Sequence, residues 1–92
     1  MVKEKDNPVE NTLSKQGSGN DLILYNDDIH SFDFVIEALI EVCEHEHLQA
    51  EQCAFIAHYN GRCPVKSGHF SELKPRYDEM IRRGLTVSIE SL

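Results

Sequence analysis

Residues 21–43 read DLILYNDDIHSFDFVIEALIEVC and decide most of the fold. The apolar run at residues 21–25 predicts a short strand. Asn26-Asp27-Asp28 predicts a turn after it, because Asn and Asp side chains bond their own backbone. Ser31 is a suitable N-cap, and apolar residues follow it at helical spacing. We therefore predict an amphipathic helix over residues 31–45.

Residues 47–59 predict a second helix, which Asn60-Gly61 ends because glycine favours the left-handed conformation that follows a helix. A short strand is expected over residues 62–66. Pro64 cannot donate a ladder hydrogen bond, so this strand should be irregular or lie at a sheet edge. The apolar residues expected to face the core from the second helix are Leu48, Cys53, Phe55 and Ile56.

A third helix is expected over residues 71–83, ending before Gly84. It tolerates Pro75 only if that residue lies in the first turn. Residues 85–90 alternate apolar and polar side chains, which is typical of a half-buried strand. The element order β-α-α-β-α-β predicts an α+β domain of two layers, with three helices packed on a small, three-stranded, mostly antiparallel sheet.

The 92 residues suffice for one domain, and their net charge is −7. No Lys or Arg occurs between Lys15 and Arg62, whereas nine acidic residues do. Such a surface repels phosphate backbones, so we expect no nucleic-acid partner. It would attract an ammonium group or a basic partner.

Residues 1–20 mix charges with Asn, Pro, Ser and Gly and predict a flexible N-terminal extension to a core domain at residues 21–92. No apolar run approaches the roughly 18–20 residues that cross a bilayer. The first residues lack the apolar stretch of a secretory signal. We expect a cytoplasmic monomer without a membrane partner.

The three cysteines, Cys43, Cys53 and Cys63, are odd in number and form no CxxC pair. They are therefore expected to be reduced and structural rather than disulfide-bonded. If one helix continued through both positions, Cys43 and His47, four residues apart, would share a face and could supply two metal ligands. A structural zinc needs four, and no second pair is evident, so we expect neither a metal nor another cofactor.

The cluster Tyr25-Asn26-Asp27-Asp28 is the segment most suited to binding a ligand. It places one amide and two carboxylates where a strand runs into a helix, and His58 complements them if the second helix packs beside that turn. Amide, carboxylate and neutral imidazole groups all accept hydrogen bonds, which suits the three N–H donors of an α-ammonium group. Alternatively, the turn and His58 satisfy only local backbone groups. No nucleophile or oxyanion loop is convincing, so we do not expect an enzyme.

Two motifs resemble the ClpS family, the adaptors of the ATP-dependent Clp proteases. ILYNDDIHSFDFVIEALIEV is similar to the signature strand-turn-helix of that family, and AEQCAFIAHYNGRC is similar to its second-helix motif. The likeness covers about residues 21–90. Between Val65 and Gly84 it is closer to the versions found in Bacteroidetes than to the enterobacterial one.

The resemblance implies an adaptor of the N-degron pathway. Such an adaptor binds proteins that begin with Phe, Leu, Tyr or Trp and delivers them by docking on the N-terminal domain of a Clp ATPase, ClpA or ClpC. By position, Asn26, Asp28 and His58 would bind the substrate α-amine. The residues that would line the pocket for the first side chain are Ile29, Phe32, Val35, Ala54, Ala57 and Leu85.

Departures from the family pattern affect the turn and the pocket. His30 stands where many members have Thr, and Phe32 and Ala54 stand where they have Met. Replacing adaptable Met side chains should reshape the pocket, so the ranking of first residues stays open. The third helix aligns poorly. Its basic residues form a patch that could dock the ATPase: Lys74, Arg76, Arg82 and Arg83.

Two other functions remain open at this point. A β-α-α-β-α-β topology also occurs in the C-terminal domain of the ribosomal stalk protein, which would make the chain a factor-recruiting interaction domain. A metal-binding regulator is the second alternative. Neither function needs Asn26 or an interaction with N-terminal peptides.

Overall fold

The structure of the chain is a computed structural model that describes residues 19–92. The predicted flexible extension therefore lies almost entirely outside the described residues. The elements in chain order are β1 (Asn20–Tyr25), α1 (Phe32–Cys43), α2 (His47–Asn60), β2 (Arg62–Gly68), α3 (Phe70–Arg82) and β3 (Val87–Ser91). The predicted order and α+β class are confirmed.

The sheet has the order β2-β1-β3, and β1 pairs antiparallel with both neighbours. The sheet is thus wholly antiparallel. The pairing of β1 with β2 shifts register between Leu22 and Ile23, which face Lys66 and Pro64. Pro64 therefore lies on an edge strand and next to an irregularity, as its missing N–H requires.

The two ends of α1 are fixed by separate features. At the start, Ser31 Oγ accepts a hydrogen bond from the Phe34 N–H at 3.2 Å, as an N-cap does. After Cys43, the backbone of Glu44 turns left-handed with φ 60°. His45 is then buried, and its Nε2 lies 2.6 Å from the Val65 carbonyl oxygen. This contact joins the α1–α2 connection to β2.

The expectation that Pro75 lies in the first turn of α3 is wrong. Helix α3 begins at Phe70, so Pro75 is an interior residue. Pro75 cannot donate to the carbonyl of Ser71, four residues earlier, but Ser71 is exposed and water can reach it. The prediction for the end of the helix is confirmed, because Gly84 has φ 88°.

The predicted inward face of α2 is also wrong. Leu48, Phe55 and Ile56 are 63%, 55% and 42% exposed, and Cys53 is only half-buried. The buried residues are Ala50, Ala54 and Ala57, which repeat at helical spacing. The helix therefore packs on the core through its alanines. Its larger apolar residues lie on the other side, at the surface.

The core lies between the sheet and the helices. Its fully buried larger side chains are Leu22, Leu24, Leu39, Cys43, Leu73 and Met80. Burial raises the pKa of the Cys43 thiol to about 11 and that of Cys63 to about 12. Both thiols are therefore protonated at neutral pH, and all three cysteines are free. Among the described residues, none of the helices has both the length and the apolar character to span a bilayer.

Candidate functional site

The turn between β1 and α1 is organised by the carboxylate of Asp27. Its Oδ1 accepts hydrogen bonds from the backbone N–H groups of Ile29 and His30 at 3.0 and 2.8 Å, and its Oδ2 lies 3.1 Å from His30 Nδ1. Burial alone would raise the pKa of Asp27, but these hydrogen bonds hold it below its usual value. The charged carboxylate thus fixes the conformation of the turn.

His30 holds the turn against two other parts of the fold. Its ring stacks on that of Phe34 with centroids 4.6 Å apart. Its Nε2 would lie 3.3 Å from a Cβ at Gly84, so the turn approaches the end of α3 closely. A side chain at position 84 would be disfavoured by this contact as well as by its positive φ.

A cavity of about 270 Å³ opens between this turn, the start of α1 and the last turns of α2. Phe32 and Val35 contribute apolar side chains from α1. The small side chains of Ala54 and Ala57 line it from α2. The cavity is slightly smaller than the roughly 300–1,000 Å³ of pockets that take whole small molecules, which suits a ligand the size of one residue.

Asn26, Asp28 and His58 all line this cavity, so the structure brings the three predicted acceptors together. All three residues are exposed. Within residues 19–92, none of their side chains has a hydrogen-bond partner. His58 instead makes ring contacts with Phe32 at 5.1 Å and with Tyr59 at 4.8 Å. The site therefore offers three free acceptors beside an apolar hollow.

Two of the six predicted pocket residues lie elsewhere. Ile29 is 87% exposed and does not line the cavity. It follows Asp28 in a turn whose backbone is tied to Asp27, and its side chain extends into solvent. Leu85 is 3% exposed and belongs to the main core, where its N–H bonds the Met80 carbonyl. The other four predicted residues line the cavity.

Comparison with known proteins identifies the family of the chain. The family model described as "ATP-dependent Clp protease adaptor protein ClpS" matches residues 15–88. The chain belongs to the ClpS family. No curated protein sequence matches it. The structure of Agrobacterium tumefaciens ClpS2 bound to L-phenylalaninamide is similar, with a TM-score of 0.68 and 22% identity over 79% of this chain and 95% of that one. At this identity the likeness concerns the fold.

Several cavity residues of this ClpS family member were not predicted from its sequence. They are Leu24, His30 and Ser31, whereas Tyr25 and Asp27 belong to the cluster singled out from the sequence and also line the cavity. Their positions on both sides of Asn26 and Asp28 could have indicated them, because a turn that displays two side chains exposes their neighbours to the same space. The hydroxyl of Tyr25 also forms hydrogen bonds with the side chains of Ser88 and Glu90 in β3. These contacts anchor the end of β1.

The two possible metal ligands of this ClpS family member, Cys43 and His47, lie on different helices, at the end of α1 and the start of α2. Cys43 is buried in the core, whereas His47 is exposed at the start of α2. In the part of the chain that the structure describes, no three His, Cys, Asp or Glu residues are grouped as metal ligands would be. The described helix end thus gives no support to a metal site.

Proposed function

We propose that this chain is an adaptor that binds the free N-terminus of proteins beginning with Phe, Leu, Tyr or Trp and delivers them to a Clp ATPase. The observation that carries the proposal is the joint placement of Asn26, Asp28 and His58 around one cavity with apolar walls. Membership of the ClpS family supports it. So does the phenylalanine amide in the related ClpS2 structure, since that ligand has both a free amine and an apolar side chain.

The α-ammonium group would be recognised by the three acceptors. An ammonium has three N–H donors, and one amide oxygen, one carboxylate and one neutral imidazole nitrogen can accept them. Each charge-assisted hydrogen bond is worth about 1.5–3 kcal/mol. The negative charge of Asp28 adds attraction, and among the described residues no Lys or Arg lines the cavity to oppose it.

The first side chain would enter the cavity between α1 and α2. Phe32, Val35, Ala54 and Ala57 supply its apolar lining, and burying an aromatic or Leu side chain contributes about 1.5–3 kcal/mol. Ile29 and Leu85 are not included in this pocket. The association entropy offsets much of the gain, so we expect micromolar affinity.

Recognition then requires both features at once. Acetylating the substrate amine removes its charge and donors while the three acceptors lose contact with water, which should weaken binding at least tenfold. A first residue branched at Cβ, such as Val, should bind weakly because its bulk lies at the mouth of the cavity. Delivery would follow from docking on the N-terminal domain of the ATPase, ClpA or ClpC.

Fluorescence anisotropy tests the binding step. Peptides that differ only in the first residue, Phe, Leu, Val or acetylated Phe, are titrated with the protein. We expect Phe and Leu to bind in the micromolar range and the other two at least tenfold more weakly. Asn26→Ala and His58→Ala should each weaken Phe binding, whereas His47→Ala, an exposed histidine at the far end of the same helix, should not.

Equal affinity for all four peptides contradicts the proposal, and so does unchanged binding by both acceptor variants. A factor-recruiting domain or a metal-binding regulator would give that result. Delivery is tested separately, by asking whether each candidate ATPase N-terminal domain forms a complex with the chain on size-exclusion chromatography and whether degradation of a Phe-initiated reporter then accelerates.

A further inference from the structure

An apolar groove lies on the outer surface beside the cavity. Its apolar lining comes from the start of α1 and from α2: Phe32, Ile36, Leu48, Phe55 and Ile56. We call this surface the α1–α2 groove; its volume is about 720 Å³. Four of the five side chains are more than 40% exposed, so the groove combines large apolar groups with access to solvent. Exposed apolar patches of this kind commonly mark binding sites.

The groove and the cavity adjoin at one side chain. Phe32 lines both spaces. Its ring lies 5.1 Å from that of His58, an acceptor of the cavity, and 6.2 Å from that of Phe55 in the groove. An extended peptide advances about 3.3–3.6 Å per residue. A substrate fixed by its first residue in the cavity therefore needs only one or two more residues to reach Phe55.

The charges at the groove restrict what can occupy it. Its polar lining residues are Asp33, Glu51 and Gln52, and no cation from residues 19–92 lines it. An acidic side chain of a substrate would be repelled by Asp33 and Glu51, whereas an apolar side chain would bury surface against Phe55 and Leu48. A second copy of this chain is a poor occupant, because two copies of net charge −7 repel each other.

We propose that the α1–α2 groove binds an apolar side chain at the second or third position of the substrate, so that this adaptor reads more than the first residue. The inference rests on the proposed function, because the substrate must first be anchored in the cavity. The substrate class is therefore narrower: an apolar first residue followed closely by another apolar residue, without an acid at these positions.

The test compares peptides that share an N-terminal Phe and differ in the next two residues: Phe-Ser-Ser, Phe-Leu-Ser, Phe-Ser-Leu and Phe-Glu-Ser, each with the same remainder and a C-terminal fluorophore. We expect at least one Leu peptide to bind about three- to tenfold more tightly than Phe-Ser-Ser and the Glu peptide to bind more weakly than it. These changes correspond to partial burial of one aliphatic side chain and to repulsion between exposed like charges.

Groove variants provide the matched comparison. Phe55→Ala should abolish the preference for Leu while retaining the affinity for Phe-Ser-Ser, because Phe55 does not line the cavity. Leu48→Ser changes an exposed residue in the first turn of α2 and should reduce the preference for Leu in the same way. Phe70→Ala is the control: Phe70 is 52% exposed, close to the 55% of Phe55, but lies on α3 and should leave the preference intact.

The outcomes separate the two proposals. If wild-type protein binds Phe-Ser-Ser and both Leu peptides equally, or if both groove variants keep the preference, the groove inference is wrong and the proposed function stands. If free and acetylated Phe peptides bind alike, the proposed function fails and the groove inference with it. If sedimentation shows that Phe55→Ala dissociates a dimer without changing peptide preference, the groove is a self-association surface and the inference is again wrong.

Discussion

The α3 face and the cavity end of the molecule differ in whether their polar side chains have internal partners. On α3, Lys74 Nζ lies 2.7 Å from Asp78, and Arg83 lies 2.9 Å from Glu79 and 2.8 Å from Glu41. Arg82 pairs with Glu79 as well. The basic patch predicted from the sequence as a docking surface is therefore largely neutralised by acids of the same chain.

Arg76, the fourth cation of that patch, has a structural role. Its Nη1 donates to the Val42 carbonyl at 2.7 Å, which satisfies one of the free carbonyl groups at the end of α1. Its other contact is a long one of 3.9 Å to Glu44. The α3 face thus uses its charges to hold α1 and α3 together.

At the cavity end, by contrast, Asn26, Asp28 and His58 have no hydrogen-bond partner within residues 19–92, although Asp27 beside them has three. Exposed groups without internal partners can bind a ligand without first breaking an intramolecular bond. The contrast indicates which polar groups maintain the fold and which remain available for binding. It also predicts that substitutions on the two faces change different measured quantities.

The largest effect is expected from reversing the charge of Asp28. Asp28→Lys replaces an acceptor with a cation where the substrate ammonium would bind, so it removes one charge-assisted hydrogen bond and adds repulsion. We expect about a hundredfold loss in affinity for a Phe-initiated peptide, with a free energy of unfolding within about 0.5 kcal/mol of wild type. Glu37→Lys changes the net charge equally on the exposed side of α1 and should alter affinity less than about twofold.

A similar loss in both variants would mean that overall charge, rather than the position of Asp28, attracts the peptide. Unchanged affinity in Asp28→Lys would contradict the role of this residue in binding the ammonium. Anisotropy titrations at two salt concentrations distinguish these results, because a long-range charge effect is screened by salt more strongly than a close contact.

The neighbouring residue should respond in the opposite way. Asp27→Ala removes three hydrogen bonds to one carboxylate, so we expect a loss of about 2 kcal/mol in the free energy of unfolding, measured by urea denaturation. Asp28→Ala, which removes no internal bond, should cost less than about 0.5 kcal/mol. Equal costs for the two variants would show that the turn does not depend on Asp27.

The same hydrogen bonds make the stabilisation by Asp27 depend on pH. Since they lower the pKa of Asp27 in the folded state, its contribution is fully present above its ordinary pKa of 3.8 and is lost as the pH falls below that value. The difference in stability between wild type and Asp27→Ala should therefore shrink on acidification. A difference that grows at low pH would contradict the charged state assigned to Asp27.

A smaller loss is expected from Arg76→Met, which keeps the length of the side chain but removes the donor to the Val42 carbonyl. Because Arg76 is about a quarter exposed, we expect about 1 kcal/mol of lost stability rather than the larger cost of a fully buried pair. Lys74→Met breaks only the exposed pair with Asp78 and should cost less than about 0.5 kcal/mol. If both variants cost the same, the bond to α1 adds nothing beyond a surface ion pair.

The fold could be predicted from local sequence signals because they agree with one another. Ser31 capped a helix and Gly84 ended one, and each kept that role in the structure. Pro64 required an edge or an irregular position and has both. The start of α3 was harder to predict, because a helix can continue through an interior proline such as Pro75 when the residue whose carbonyl loses its donor, here Ser71, is exposed.

The site was predicted less completely, for a physical reason. The face that a helix buries depends on what packs against it, and on α2 the small residues Ala54 and Ala57 are inside while Phe55 and Ile56 are outside. Size and hydropathy favour the opposite arrangement, so the groove could not be read from the sequence. The convergence of Asn26 and His58 was predictable only on the assumption that α2 packs beside the turn.

The smallest effect is expected at Glu79, whose pairing with Arg82 and Arg83 lowers its pKa from an ordinary value of 4.5 to about 2. Its contribution to stability is therefore present above pH 4.5 and is lost as the pH falls towards 2. Because these pairs lie at the surface, within reach of water and salt, Glu79→Gln should be only slightly less stable than wild type at pH 7, and the two should converge at low pH. Glu37→Gln, an exposed α1 variant, should match wild type throughout.

Since Glu79 belongs to the paired face, its substitution should leave peptide affinity unchanged. A clear loss of affinity would mean that the α3 face takes part in binding and that the two faces are not separate.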